Sequence, residues 1–121
     1  MSRTQLLDAF APECPIRNII SRFSDKWALL IINHLATQGK SRFNQIHDCI
    51  PDISKRMLSV TLKRLVEDAL IVRTEKNTVP PTVEYELTEM GQSFVPLLIS
   101  LIEWGGKHKE FIIAHRAKHI N

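Results

Sequence analysis

Cysteine is scarce in this 121-residue chain, with only Cys14 and Cys49 present. Two cysteines cannot make a disulfide scaffold, and neither has a His or Cys partner at zinc-finger spacing. No metal and no cofactor are expected, and the setting implied is a reducing cytoplasm. Long apolar runs are also missing. The longest cluster, WALLII at residues 27–32, is far too short to cross a bilayer. The first ten residues lack the apolar core of a signal peptide, so no membrane partner is expected. The four glycines stand isolated or towards the C-terminus and form no phosphate-cradling loop. No Ser/His/Asp grouping has a recognisable catalytic frame, and the chain has no body for a substrate pocket. An enzyme is not expected. Internal repeats and low-complexity tracts are absent.

What is present is an ordinary globular composition, 44% hydrophobic and 24% charged, of a length that fits one domain. The net charge of +3 is unevenly spread. Residues 40–76 carry eight basic and five acidic side chains, against four and three before them and four and five after them. Residues 53–66 hold four basic residues and no acid. A basic face on one helix is the footprint of a phosphate-binding element, although solvated surface helices share it.

Residues 1–13 have weak apolar spacing and are expected to form a short arm. Residues 14–121 then form a single domain. Pro15 suits a first helical position, which puts Cys14 at the N-cap. Ser24 or Asp25 caps a second helix over residues 26–38, apolar nearly all round and therefore central to the core. Its His34 is expected to be a packed histidine, not a ligand. Residues 40–43 can add one small strand. A helix near residues 44–50 stops at Pro51, and Ser54 caps the next. Two helices joined by so short a turn make a helix-turn-helix. In the second of them Leu58, Leu62, Leu65 and Ala69 make the inner stripe. Arg56, Ser59, Val60 and Lys63 lie opposite. Val60 is a misfit there, explained either by a thymine methyl in the major groove or by a place at the stripe's border. A strand near residues 70–73, a proline-containing loop with Lys76 near its tip, and the alternating strand VEYEL complete a hairpin. Thr88 caps a C-terminal helical region, about 89–119, with a kink expected at Pro96 and a break at Gly105–Gly106. Its apolar residues exceed what so small a core can cover and are expected to form a subunit interface. The fold class is mainly α (α+β), a winged helix-turn-helix with a two-stranded wing and extra N- and C-terminal dimerisation helices.

Several stretches resemble the HxlR-type transcriptional regulators, small winged-helix proteins related to the MarR type. They are Cys14–Pro15, SDKWALLIINHL at 24–35, SRFNQI at 41–46, ISKRMLSVTLKRLVEDALI at 53–71, VPPTVEYELTEMG at 79–91 and Trp104–Gly105. The similarity covers nearly everything from residue 14 to about residue 108. Two residues depart from the pattern. Ala69 stands where members commonly carry glycine, and alanine favours helical continuation; Glu75 is an unusual acid in the wing. The resemblance implies a homodimer held by terminal helices of both subunits, with the fourth helix in the major groove. It also implies, for some members, a response to oxidants or electrophiles through the thiol equivalent to Cys14.

The expected partners are thus double-stranded DNA, a second copy of the chain, and a small electrophile or oxidant as effector. Ser54, Lys55, Arg56, Ser59 and Val60 are the candidates to reach base edges. Arg42, Lys63, Arg64 and Lys76 are the candidates for phosphates. Cys14 is the candidate redox-sensing residue, favoured by the helix N-terminus and opposed by Glu13. Cys49 is expected in the core. Two alternatives stand beside this reading. One is a regulator that responds to a small molecule without a thiol switch, with Trp27, Phe94 and Trp104 lining a pocket at the dimer seam. The other is a winged helix used for protein contacts.

Overall fold

The computed structural model describes residues 1–119, so the last two positions of the expected 14–121 domain lie outside it. In chain order the elements are α1 (Arg3–Ala9), α2 (Pro15–Phe23), α3 (Lys26–Gln38), β1 (Ser41–Arg42), α4 (Phe43–Cys49), α5 (Lys55–Glu67), β2 (Ile71–Lys76), β3 (Thr82–Leu87) and α6 (Glu89–Lys118). Helices surround one small antiparallel sheet of order β1-β3-β2. β2 and β3 form the expected wing, and Ser41–Arg42 adds the third strand by pairing with Tyr85 and Glu84.

The N-terminal arm is largely helical. Ser2 accepts from the Gln5 backbone and Gln5 returns a bond to the Ser2 backbone, a reciprocal cap that closes the first turn. No residue of α1 or α2 is buried. α2 begins at Pro15 with Cys14 as its N-cap, and is fastened at its far end. There Arg22 meets Asp68 at 2.6 Å and Glu67 at 3.5 Å, and Phe23 sits edge-on to Phe94 at 5.3 Å.

α3 is the central helix. Asp25 is its N-cap and accepts from the Ala28 N–H at 2.9 Å. Its Ala28, Ile31, Ile32 and Leu35 are buried with Ile46, Leu58, Leu62, Leu65, Leu70, Ile71, Leu87 and Leu98 in one core. His34 is buried among them. The Ser41 hydroxyl donates its one hydrogen to the Gly39 carbonyl, so it must accept from His34 Nε2 at 3.0 Å. Burial lowers the His34 pKa, which keeps the ring neutral and makes it a satisfied structural histidine.

α4 spans one residue earlier than the spacing predicts, and the short turn after it leads to Ser54. The Ser54 hydroxyl accepts from Met57 N at 3.0 Å and starts α5. Cys49 is exposed, not in the core as expected. It ends α4, one turn after Ile46, the helix's one buried residue.

Two further expectations are corrected. Ala69 does not prolong α5. It takes a left-handed conformation (φ 63), with Leu70 N bonded to Leu65 O and Ala69 N to Val66 O, both at 3.0 Å. That is a Schellman stop, usually built on glycine. Alanine there costs about 1–2 kcal/mol. Burying Leu70 and Ile71, each worth about 1.5–3 kcal/mol, outweighs it. α6 is a single 30-residue helix through both Pro96 and Gly105–Gly106, with no break at the glycines. Helical glycines cost about 1 kcal/mol each relative to alanine, which weakens a helix without ending it. Trp104 and His108 meet across the pair at 4.7 Å.

α6 joins the winged core at one tight point. Thr88 caps α6 by accepting from Gly91 N at 3.0 Å, and its hydroxyl donates to the Ala69 carbonyl at 2.5 Å. A Cβ on Gly91 would stand 2.1 Å from the Leu70 carbonyl oxygen, so only glycine fits. Opposite outcomes are expected on thermal or urea unfolding. Gly91→Ala should destabilise the fold by about 3 kcal/mol or more, because backbone must shift. Ala69→Gly should stabilise it by roughly 0.5–1 kcal/mol, the left-handed penalty less the entropy glycine adds to the unfolded chain.

Candidate nucleic-acid interface

α5 divides cleanly. Leu58, Thr61, Leu62 and Leu65 are buried, and the Thr61 hydroxyl bonds back to Met57 O at 2.7 Å. Ser54, Lys55, Arg56, Ser59, Val60 and Lys63 are exposed on the other side. Val60 is 46% exposed, so it is an outward apolar residue and not part of the core stripe. Five neighbouring outward positions thus offer a hydroxyl, two cations, a second hydroxyl and a branched apolar surface. Such a set can present donors and a methyl-sized contact to base edges. Ser54 spends its acceptor on the helix cap but keeps its hydroxyl proton.

The four phosphate candidates occupy different environments. Lys63 is exposed on α5 and Arg42 is exposed at the start of α4, beside the helix-turn-helix. Lys76 lies at the end of β2 and meets Glu84 at 2.6 Å. Arg64 is partly buried. Its guanidinium meets Asp25 Oδ2 at 2.9 Å and its Nε is enclosed without a partner. Since Asp25 also caps α3, this pair fastens α5 to the start of α3. Any phosphate contact by Arg64 has to be made from that tethered position.

The wing carries more cation–carboxylate pairing than its charge count reveals. Arg73 meets Glu75 at 2.8 Å, and Lys40 reaches Glu86 at 3.9 Å. The Glu75 hydrogen bond, and then Tyr85, raise the Arg73 pKa. Glu84 is held below the ordinary carboxylate range by its hydrogen bond to Lys76, then by the charges of Lys76, Lys40 and Arg42. The unusual Glu75 therefore neutralises a wing cation in the free protein.

Between α5 and the wing lies a cleft of about 500 Å³ lined by Ser59, Lys63, Val66, Glu67, Arg73 and Tyr85. Arg73 and Tyr85 are cross-strand partners. Neither was selected from the sequence. The usable signal was their register, since an Arg opposite a Tyr across a hairpin puts a cation and a hydroxyl side by side.

Cys14 is partly buried and free, and makes no side-chain capping bond. Met1, Gln5, Asp8, Ala9 and Ile16 surround it in a hollow of about 280 Å³. Cys49 opens onto a different hollow, with His34, Lys40, Ser41, Gln45 and Asp48. Among the described residues no His, Cys, Asp and Glu group of three or more is arranged to hold a metal, and no helix is long and apolar enough to cross a membrane.

A helix-turn-helix with an exposed basic second helix, followed by an antiparallel hairpin, defines a winged-helix DNA-binding protein. The chain belongs to the HxlR-like helix-turn-helix family, whose model matches residues 22–112. It is 37% identical over 99 residues to YdeP of Bacillus subtilis (strain 168), an uncharacterised HTH-type transcriptional regulator, covering 82% of this chain and 77% of that one. The reduced form of the redox regulator HypR superposes with a TM-score of 0.75 at 32% identity, over 83% of this chain and 98% of that one. The oxidised form gives 0.70 at 35% identity, over 78% and 96%. The protein is a DNA-binding transcriptional regulator and not an enzyme. That sets aside the protein-contact alternative.

The Lys76–Glu84 pair leads to a direct expectation. Glu84→Gln should tighten binding to random-sequence duplex and steepen the dependence of log K on log salt by about one. Fluorescence-anisotropy titrations at several salt concentrations read both. An unchanged affinity and slope would show that Lys76 makes no phosphate contact.

Proposed function

We propose that this chain acts as a homodimer on a palindromic operator in the cytoplasm and that oxidants or electrophiles tune it through Cys14. The exposed face of α5 is the observation that carries the sequence-reading part. Arg56, with Ser54, Lys55, Ser59 and Val60, reads bases; Arg42, Lys63, Lys76 and Arg73 hold backbone, with Arg64 contributing from its pair with Asp25. Phosphate contacts orient and base contacts specify.

Dimerisation is supported by the apolar surface that the single chain leaves bare. Ile16 and Ile19 on α2, and Leu97, Leu101, Ile102, Trp104, Phe111 and Ile113 on α6, are all at least 46% exposed. A patch of that kind marks an interface. A two-fold pair presents two copies of α5, and half-sites one helical turn apart require about 34 Å between them.

The thiol reading rests on Cys14 being free at the start of α2, and on the likeness to a redox regulator. The thiolate would attack a peroxide oxygen, become a sulfenic acid and release the other oxygen as hydroxide. α2 has no buried residue, and among the described residues its ion pairs and ring contact lie near Arg22 and Phe23, so a change at Cys14 meets little resistance in moving it. A second reading has its own observation. An apolar cavity of about 370 Å³ between α3 and α6 is lined by Leu29, Leu30, Leu98, Leu101 and Ile102, with Lys26 and Asn33 at its edge. It could take a small apolar anion as effector. It is a different place from the dimer-seam pocket expected of Trp27, Phe94 and Trp104, none of which lines it.

Operator fragments selected from random duplex by the purified chain test the base-reading set. Arg56→Ala should relax the preference, at about 1–3 kcal/mol for the base it contacts, whereas Lys76→Ala should weaken all sequences alike. Equal losses for both would remove Arg56 from the reading set. For the switch, peroxide or diamide treatment should change operator affinity in the native chain and not in Cys14→Ser. A Cys49→Ser variant on a non-reducing gel tells whether the second thiol joins in. A response that survives Cys14→Ser would favour the cavity between α3 and α6 as the effector site.

A further inference from the structure

Beyond Leu98, α6 buries nothing, yet its residues are not arranged at random. Trp104, His108, Phe111, His115 and His119 follow at spacings of four, three, four and four, and so share one side of the helix. Phe111 and His115 stack with ring centroids 5.9 Å apart and planes within 14°. His115 and His119 are closer, at 4.3 Å. His119 Nδ1 lies 2.9 Å from the His115 carbonyl oxygen. A carbonyl can only accept, so Nδ1 carries the proton and the lone pair of the neutral ring is on Nε2. A histidine whose one nitrogen is tied to a carbonyl while the other is free is set up as metal ligands are.

We propose that His115 and His119 form a two-imidazole chelate for a late first-row divalent cation, Ni²⁺ or Cu²⁺, at the exposed C-terminal end of α6. Imidazoles on successive turns can close on one ion, and Phe111 holds the first ring in place by stacking. Among the described residues no third His, Cys or carboxylate completes the set, so water takes the remaining positions. That composition suits the tetragonal N,O sites of Cu²⁺ and Ni²⁺ and not a structural zinc site, which uses four protein ligands. The last carbonyls of the helix add a partial negative charge beside the ion, and Arg116 and Lys118 oppose it.

The test is a Ni²⁺ titration of the untagged full chain with its thiols alkylated, followed by calorimetry and by ¹H NMR of the imidazoles. One saturable equivalent per chain is expected, with paramagnetic broadening of the His115 and His119 resonances first. His115→Ala and His119→Ala should each abolish saturation, and His108→Ala should leave it. In the single chain His115 and His119 are exposed and His108 is half-buried, and circular dichroism of each variant checks that the helix persists. No saturable uptake by the native chain, or uptake that survives the His115→Ala/His119→Ala double variant, overturns the proposal.

Discussion

The carbonyl of Leu70 organises the molecule. It accepts from Thr88 N at 3.1 Å and lies so near Gly91 that no side chain fits there. Leu70 is also the residue that ends the α5 stop and begins the turn into β2. A single peptide group therefore joins the end of α5, the base of the wing and the start of α6. The Thr88 hydroxyl closes the same junction from the other side, through the Ala69 carbonyl. With these backbone groups paired, the chain can bury Leu70, Ile71 and Leu87 next to one another without leaving polar atoms stranded.

Ion pairs then set the orientation of what the junction connects. Arg64 ties α5 to Asp25, and Arg22 ties α2 to Asp68. These four side chains are each about a third exposed, so their value lies in registering helices more than in stability. On the wing the pairs have another effect. Lys76, Arg73 and Lys40 each have a carboxylate at hand in the free protein, so the positive field there is weaker than the residue count implies. A phosphate has to compete with those carboxylates. Among the described residues Lys55, Arg56 and Lys63 on α5 form no such ion pair, so the attraction of the free protein for anions is greater there than on the wing.

Much of this fold is legible in the sequence because its decisive signals are local. Pro15, Asp25, Ser54 and Thr88 each mark a helix start within a few residues, and the inner stripe of α5 follows from spacing alone. The misjudged positions depend on distant partners. Ala69 takes a glycine-like conformation because the burial of Leu70 and Ile71 outweighs its own preference. Gly105–Gly106 stays helical because nothing there rewards a break. Cys49 is exposed although it stands one turn from the buried Ile46, because the helix ends there and nothing packs over its last residue. The same holds for the candidate interface. The outward set on α5 was visible from periodicity, whereas the Asp25 partner of Arg64 stands 39 residues away. The Arg73–Tyr85 neighbourhood appears only once strand register is known.

The unbroken course of α6 has a mechanical consequence. From Gly91 to Lys118 it runs about 40 Å at 1.5 Å per residue, most of that beyond the winged core. A continuous helix of that length, anchored close to one end, can act as a lever arm. Turning it by about 5° at Gly91 carries its tip through roughly 3–4 Å, a displacement comparable to one base-pair step. Had the glycine pair hinged the rod, the same tilt would have been lost halfway along. Continuity through Gly105–Gly106 therefore governs how much angular change at the core is transmitted to the far end, and in the reverse direction how much leverage a grip on the tip exerts on the winged core.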